Sequence, residues 1–459
     1  MMKKTFLLFV LTLSSVFSQA QILNETVLQE LRSSFKRTPQ TTAIQNILTE
    51  DANIAQNAIN RQNRGKIDHY FKYRVEVKGI TDQESSGRCW MFTSMNALRP
   101  DARELLGADA FDFSHNYVYF WDMLEKSNLF LENIIRTAHN DINDREVVRY
   151  FSSPVGDGGV WNLFYNVAEK YGVVPEQAMP ETRHSNNTRQ MVSLLNERLR
   201  AGGYAIREMA GQGDAEDRLR NQKKEILKDV YRVLALCLGE PPATFSWRYK
   251  NVEGEIVSME TTPLEFYRSI IKSDYSPRNY IMVMNDPTRE YYKVYEIKNY
   301  RNTIEGINWT YLNLPNEEIK PAALASIKDN EPMYTSCDVG KQLDRENGIL
   351  DTENYDYQSL LGVDLTMDKK ARILTRQSGS SHAMLLIACD TDTNEVPVKW
   401  EFENSWGPAA GNKGYLTFTD EWFDQYMFRF VIHRKYLSTK AINALDQEPV
   451  LLPVWDYMF

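Results

Sequence analysis

A cysteine between a short polar turn and a strongly apolar segment constrains this chain most. Residues 83–87 form the turn, and Cys89 precedes an apolar run over residues 90–98 that we predict as a helix ended by Pro100. We expect the small residues 85–87 to cap this helix, which places Cys89 in its first turn. Unpaired backbone N–H groups there favour a thiolate, and cysteine pKa values at such positions fall to roughly 3.5–7.5. Cys89 is therefore the candidate nucleophile.

Gln83 is the candidate partner of this cysteine in binding an oxyanion. Its side-chain N–H and the backbone N–H of Cys89 would both face the charge that develops on a substrate oxygen. The alternative for a single cysteine is burial as a small hydrophobic side chain. The choice depends on whether the chain also supplies a base and a group that orients it.

His382 and Asn404 are the candidates for these two roles. His382 opens a strand whose residues 383–388 are apolar on both faces, so its ring is held rigidly. Residues 398–406 alternate, with Asn404 and Trp406 on the core face and Lys399, Glu401 and Glu403 on the other. A buried amide needs a partner, and it would orient the imidazole while Trp406 shields the bond from water. Trp406 is also a candidate substrate contact. A structural asparagine and a core histidine remain the alternatives for each residue taken alone.

Three residues, Asp157, Gly158 and Gly159, are candidate substrate contacts. They precede a predicted helix whose apolar face recurs at residues 160, 164, 167 and 171 and which ends at Gly172. Adjacent glycines let a substrate backbone approach closely. A plain turn is the alternative for this segment.

Other segments outline the fold. We predict helices over residues 22–60 behind an Asn24 cap as a surface arm, and a buried helix over residues 117–135. Residues 188–240 form a charged helical insertion, with breaks at Gly202-Gly203 and residues 211–214. Residues 280–284 and 292–295 flank a turn and are predicted as a hairpin, and strands dominate the C-terminal half.

Residues 1–20 are typical of a cleavable signal peptide, with Lys3 and Lys4, an apolar run and a small-residue cut site after Ala20. We therefore expect an exported protein, periplasmic or extracellular, without a stable membrane anchor. Removing the two lysines changes 53 basic residues to 51 against 62 acidic, a net charge of −11. This charge argues against a nucleic-acid partner.

The four cysteines are spread widely and lack the spacing of a zinc site, so no metal or other cofactor is indicated. Cys237 and Cys389 lie in apolar runs, and we expect buried free thiols.

Taken together, these motifs resemble the papain-type cysteine peptidases of the bleomycin hydrolase and aminopeptidase C family, over nearly the whole mature chain. The resemblance rests on residues 83–90, 380–384 and 403–407, with further similar runs at residues 116–128, 157–159, 169–175, 337–341 and 414–423. It implies that Cys89 is the nucleophile, His382 the general base and acid, Asn404 the orienting residue and Gln83 an oxyanion donor. The interval from Cys89 to His382 is 293 residues, against about 130–150 in papain, and the helical insertion accounts for the difference.

The implied fold is papain-like α+β, with a helical half carrying Cys89, a sheet half carrying His382 and Asn404, and a cleft between them. The peptidase domain would span residues 21–445, and residues 446–459 would form an arm that enters the cleft. The implied activity is that of an aminopeptidase acting through an acyl-enzyme on peptide substrates, in a homohexamer. An endopeptidase, an acyl-transfer catalyst and an inactive binding scaffold of the same fold are the alternatives.

Three features depart from the family: His115 replaces the usual glutamine, a signal peptide precedes a usually cytosolic enzyme, and the arm stops at Phe459. In the family, a carboxylate at the end of the arm meets the α-ammonium group of the substrate. Phe459 is thus a candidate substrate-binding residue. Because the arm is short, we expect release of two or three residues at a time as an alternative to one.

Overall fold

The computed structural model describes residues 22–50 and 53–458 of this chain, which form two compact units. The first contains residues up to Ile59 and Tyr357–Val363, and the second contains Asn60–Asp356 and the residues from Asp364 onwards. The predicted signal peptide lies outside the described residues. No helix in the described ranges is long and apolar enough to cross a membrane.

Helices dominate the N-terminal half. In the described ranges they are α1 (Glu25–Ser34), α2 (Pro39–Glu50), α3 (Ile54–Asn57), α4 (Cys89–Leu106), α5 (His115–Arg136), α6 (Arg145–Ser152), α7 (Trp161–Tyr171), α8 (Arg183–Asn186), α9 (Arg189–Gly211), α10 (Glu216–Leu238), α11 (Pro263–Ile270), α12 (Asn316–Lys328), α13 (Tyr357–Leu361), α14 (Lys369–Leu374), α15 (Asp420–Tyr426) and α16 (Thr439–Ala444).

Strands dominate the second half, as predicted. They are β1 (Tyr73–Arg74), β2 (Phe245–Lys250), β3 (Ile256–Thr261), β4 (Tyr280–Met284), β5 (Lys293–Ile297), β6 (Thr310–Asn313), β7 (Met333–Cys337), β8 (Leu343–Asp344), β9 (Ile349–Leu350), β10 (His382–Thr391), β11 (Pro397–Glu403), β12 (Tyr415–Thr419), β13 (Met427–His433) and β14 (Val450–Leu452).

Helices α1–α3 and α13 belong to the first unit. The side chain of Asn24 accepts a hydrogen bond from the Val27 N–H at 3.0 Å, so the predicted cap is confirmed. None of the residues in α1, α2 and α3 is buried.

A mixed sheet organises the second unit in the order β14-β5-β6-β4-β13-β7-β10-β11-β12-β9-β8, with β1 beside β10 and with β2 and β3 paired separately. Strand β7 is buried throughout, as are residues 382–389 of β10. The predicted hairpin of residues 280–295 is wrong, because β6 lies between β4 and β5. Asn313 at the end of β6 donates a hydrogen bond to the carbonyl oxygen of Asp286 at 2.9 Å. This bond holds the turn after β4 against β6.

Helix α4 packs against β10 and β7 and carries Cys89 to the start of β10. The prediction that Pro100 ends it is wrong, since the helix continues to Leu106 and stops at Gly107, whose φ is 58°. A proline removes one helical hydrogen bond, and buried residues on both sides of it, Leu98 and Ala102, hold the segment in place. Arg88 occupies the capping position, and its side chain makes no hydrogen bond to the helix N-terminus, so the predicted serine cap is also wrong.

The charged insertion forms the antiparallel pair α9 and α10, packed on α5. The predicted break at Gly202-Gly203 is absent, and α9 runs through both glycines. A Cβ at Gly202 would lie 2.6 Å from the Ile226 side chain, and one at Gly203 would lie 3.1 Å from the Phe130 ring. These glycines therefore permit close helix contacts and do not interrupt the helix. The break after Gly211 is present.

Candidate active site

Cys89 is the first residue of α4 and lies in a cavity of about 800 Å³, which we call the Cys89 cavity. Its Sγ is 4.0 Å from the carbonyl oxygen of Gly87. Burial raises the pKa of the Cys89 thiol to about 11, against the opposing effect of the backbone N–H groups of Ala383 and Trp90. The backbone N–H groups at the helix start lower this pKa as predicted, but desolvation outweighs them, so the predicted net lowering is wrong.

The turn before Cys89 is anchored by Asp157. One carboxylate oxygen of Asp157 accepts from the Gly87 N–H at 2.6 Å and from the Thr188 hydroxyl at 2.5 Å. Its backbone carbonyl accepts from Trp90 Nε1 at 2.8 Å. Asp157 thus supports the nucleophile from behind, and it does not line the cavity where a substrate contact was predicted.

Gly158 and Gly159 do line the Cys89 cavity. A Cβ at Gly159 would lie 2.6 Å from the Trp90 ring, so packing on the Cys89 helix requires a glycine at this position. At Gly158 a Cβ would meet nothing within 4 Å, so the backbone there is open. The open backbone at Gly158 suits a passing substrate chain.

Arg88, the residue before Cys89, is fixed by a buried ion pair that the sequence did not indicate. Its buried guanidinium donates to both carboxylate oxygens of Glu181, at 3.1 and 2.9 Å, and lies over the rings of Phe92 and Tyr119. Such a two-point ion pair restricts rotation of the side chain. Arginine immediately before the nucleophile was the available signal, but its partner is 93 residues away.

His382 opens β10 opposite Cys337 of β7, and it lines the Cys89 cavity. Its Nε2 and Oδ1 of Asn404 are 2.8 Å apart. Because an amide oxygen only accepts, Nε2 carries the proton and Nδ1 is the free nitrogen of the neutral ring. Trp406 does not line the cavity where a substrate contact was predicted, but its ring stacks on the imidazole with centroids 4.7 Å apart. The structure thus brings the side chains of His382, Asn404 and Trp406 together.

The His382 ring is disfavoured as a cation. Burial is the main cause that lowers the pKa of His382 to about 4, the positive charge of Arg345 acts in the same direction, and the Asn404 hydrogen bond opposes both. Arg345 lies over the ring of Trp406, with its Cζ 4.7 Å from the ring centroid. Burial therefore favours the neutral form of each of these two groups taken by itself.

Gln83 lines the same cavity with its amide fixed at both ends. Its Oε1 accepts from the Ser405 hydroxyl at 2.7 Å, and its Nε2 donates to the Ser86 carbonyl oxygen at 2.5 Å. A primary amide has two N–H bonds, so one remains for a substrate oxygen. This geometry is compatible with the predicted oxyanion donor.

The charged face of β11 is buried, although strand alternation usually places such a face in water. Arg99 of α4 donates to Glu403 at 2.7 Å, with both side chains at most 3% exposed. Burial raises the pKa of Glu403 to about 7, despite the attraction of Arg99. This ion pair links the helix of Cys89 to the residue before Asn404.

The C-terminal arm forms part of the cavity wall. After β14 pairs with β5, Asp456 forms an ion pair with Arg289, and Arg429 donates to the carbonyl oxygen of Met458. Val454, Tyr457 and Met458 line the Cys89 cavity. Phe459 lies outside the described residues, and its role in binding substrate stays a prediction.

The four cysteines are free thiols; Cys337 and Cys389 are buried, whereas Cys237 is partly exposed. Among the described residues, no group of three or more His, Cys, Asp or Glu side chains is arranged to hold a metal.

Comparison with known proteins decides the family. A model of the Peptidase C1-like family matches residues 22–459. The chain belongs to this family. It is 37% identical over 419 residues to Aminopeptidase C of Listeria monocytogenes, covering 90% of this chain and 94% of that protein. It is 34% identical over 446 residues to bleomycin hydrolase of Homo sapiens, covering 95% and 98%.

The crystal structure of PepW from Lactobacillus rhamnosis HN001 superimposes with a TM-score of 0.90 at 32% identity, covering 96% of this chain and 99% of that one. The predicted papain-like α+β fold is confirmed, as is the resemblance to aminopeptidase C and bleomycin hydrolase. This Peptidase C1-like protein is a cysteine-type peptidase. The names of its relatives, Aminopeptidase C and Aminopeptidase G, support aminopeptidase activity.

Proposed function

We propose that this peptidase removes residues from the N-terminus of peptides through an acyl-enzyme on Cys89. The observation that carries the proposal is the arrangement at the cavity: Cys89 and His382 share it, and Asn404 holds the imidazole with Nδ1 free. The reaction begins when Cys89 Sγ attacks the substrate carbonyl carbon and its proton passes to His382.

Charge develops on the substrate oxygen in this step. The backbone N–H of Cys89 and the remaining N–H of Gln83 stabilise that oxyanion. His382 then gives its proton to the leaving amine, and the C–N bond breaks. In the second half, His382 takes a proton from water, the resulting hydroxide cleaves the thioester, and the proton returns to Cys89.

The arm supports action at the end of a peptide. Val454, Tyr457 and Met458 occupy the wall of the cavity that contains Cys89, and two side-chain anchors, on Arg289 and Arg429, hold them there. A wall at this position shortens the room for substrate residues on the acyl side of the scissile bond. The names Aminopeptidase C and Aminopeptidase G of two relatives support the same activity.

The test compares free peptides with N-acetylated ones. We expect wild-type protein to cleave only the free form, because the wall leaves no room for further residues. Deleting residues 454–459 should allow cleavage of both. Equal cleavage of the two forms by wild-type protein would identify an endopeptidase with the same site.

We also propose export with cleavage after Ala20, supported by the composition of residues 1–20. Mass spectrometry of the mature protein should find Gln21 at its start, and activity should rise when a reductant is added, because the thiol must stay reduced. A hexamer, proposed from the family resemblance, is tested by light scattering of the purified protein. Salt-titrated DNA binding should detect no nucleic-acid partner, because the mature chain is acidic.

A further inference from the structure

One of the runs that resemble the peptidase family, residues 116–128, takes no part in the proposed reaction. It lies within α5, and most of its side chains are buried. One residue of this run, Lys126, lines the Cys89 cavity. Its side chain is only 12% exposed, so the contacts of its ammonium group show what it does there.

The ammonium group of Lys126 binds the backbone of residues 155–159, which we call the glycine loop. It donates to the carbonyl oxygens of Gly156 and Gly158 at 2.9 and 2.8 Å. Its third acceptor is the carboxylate of Asp122, one turn earlier on α5, at 2.6 Å. Because a lysine has three N–H donors, each of them has an acceptor in this arrangement.

The carboxylate of Asp122 is itself held in place. Its side chain is fully buried, and its second oxygen accepts from Nδ2 of Asn302 at 2.9 Å. The same Nδ2 donates to the carbonyl oxygen of Leu163 at 3.0 Å. Buried hydrogen-bond networks in which each member is satisfied are rigid. The charged end of Lys126 is therefore fixed by α5 before it contacts the glycine loop.

The other carbonyl groups of the glycine loop are bound as well. The carbonyl oxygen of Asp157 accepts from Trp90 at 2.8 Å, and that of Val155 accepts from Asn196 at 2.9 Å. Side chains of α4, α5 and α9 thus hold four consecutive carbonyl groups. Because a peptide unit is planar, fixing its carbonyl group also fixes the direction of the following N–H. The loop backbone is therefore pre-formed.

We propose that Lys126 is a positioning residue for substrate binding, because it holds the glycine loop in the shape that receives the acyl side of a peptide. The inference rests on the proposed function, in which this part of the substrate passes the open backbone at Gly158. A pre-formed surface binds without the entropy loss of ordering itself. The carboxylate of Asp157 binds the turn before the nucleophile, whereas Lys126 binds only carbonyl groups of the loop. Lys126 therefore acts on KM.

Lys126→Met tests this role, because it removes the three donors and keeps the length of the side chain. We expect KM for a free peptide to rise about tenfold while kcat changes less than about threefold. In a Cys89→Ala background, calorimetry with the same peptide should show the same increase in Kd. Lys126→Arg retains a charged donor and should recover part of the loss. It also provides the same comparison where Lys126→Met does not fold.

Lys170→Met is the matched control. Lys170 forms an ion pair with Glu125 of α5 at 2.6 Å, and it does not line the Cys89 cavity. Both lysine variants should melt below wild type, because each leaves a carboxylate without its cation. Only Lys126→Met should raise KM. A merely structural role of Lys126 would give the two variants the same kinetic constants.

Gly158→Ala tests the loop without disturbing its anchors. A Cβ at this position meets nothing within 4 Å, so the variant should melt like wild type. Its methyl group lies in open space beside the cavity and should raise KM at least about fivefold.

An unchanged KM in Lys126→Met and Gly158→Ala, or a loss in kcat alone, would overturn the inference. Equal cleavage of free and N-acetylated peptides by wild-type protein would overturn only the aminopeptidase function. The KM of the acetylated peptide in wild type and Lys126→Met would then decide the role of Lys126.

Discussion

The two sides of the Cys89 cavity hold their reactive groups in different ways. On the helical side, Cys89 is positioned by its backbone, through the bond from Gly87 to Asp157 and the ion pair of Arg88. On the sheet side, His382 is positioned by its own ring, through Asn404 and Trp406. Substituting Asp157 or Arg88 should therefore change the loop before Cys89. Substituting Asn404 should change the orientation and the tautomer of the His382 ring.

On both sides of the cavity, burial favours the neutral form of the reactive group. It raises the pKa of Cys89 to about 11 and lowers the pKa of His382 to about 4, so each group alone prefers its neutral form. The reactive thiolate thus depends on transfer of the proton to His382, since an imidazolium and a thiolate stabilise each other. The comparison teaches that the helix terminus alone does not activate this cysteine.

The largest effect is expected on the helical side. Cys89→Ala should lower kcat/KM by on the order of 10⁴-fold or more, because no other group forms the thioester. Thermal melting should change little, since the side chains are similar in size. Residual activity above about 1% of wild type would show that another residue is the nucleophile.

On the sheet side, His382→Ala should cost roughly 10²–10⁴-fold in kcat, the usual contribution of general acid–base catalysis. Asn404→Ala should cost less, because it only orients the ring. Equal losses, together with a large drop in melting temperature for Asn404→Ala, would indicate that Asn404 mainly stabilises the sheet.

The pH dependence of alkylation sharpens the comparison. In His382→Ala no imidazolium can form, so the rate of Cys89 alkylation should keep rising toward the high pKa that burial favours for the thiol. Wild-type protein should react at lower pH, because the imidazolium stabilises the thiolate. Peptide mapping is needed to separate Cys89 from the partly exposed Cys237. Identical profiles in the two proteins would contradict coupling between the two sides.

Asp157 offers a smaller effect with a matched pair of variants. Asp157→Ala removes the acceptor of the Gly87 and Thr188 bonds and should lower kcat about tenfold while KM changes less. Asp157→Asn keeps an oxygen acceptor and should recover part of the loss. A change in KM alone would instead favour the substrate contact predicted from the sequence.

The smallest effect concerns stability at Glu403. Its pKa is about 7 in the folded protein and 4.5 without the fold, so folding favours the protonated form. This contribution to stability is present below about pH 4.5 and is lost as the pH rises to about 7. Relative to Glu403→Gln, wild-type protein should lose unfolding free energy over this range in urea titrations. A constant difference would show that Glu403 does not titrate there.

The sequence was sufficient for features that depend on local patterns. The apolar run of β10 located His382, strand alternation located Asn404, and the Asn24 cap marked α1. Each of these signals lies within a few residues of the position that it identifies.

What the sequence could not supply depends on distant packing. Pro100 is tolerated because neighbours bury the helix, and β6 separates β4 from β5 although it follows both in the chain. The pKa of Cys89 depends on how many protein atoms surround the sulfur, which no local motif reports. The support from Asp157 likewise joins residues 70 positions apart.

Trapping of the covalent intermediate tests the central claim most directly. A slowly hydrolysed peptide ester with a free N-terminus should be mixed with the protein, quenched in acid and digested for mass spectrometry. We expect the acyl mass on the peptide that contains Cys89, and none on it when the ester is N-acetylated. An acyl group on Cys237 or Cys337, or turnover of the ester without any adduct on Cys89, would contradict the account.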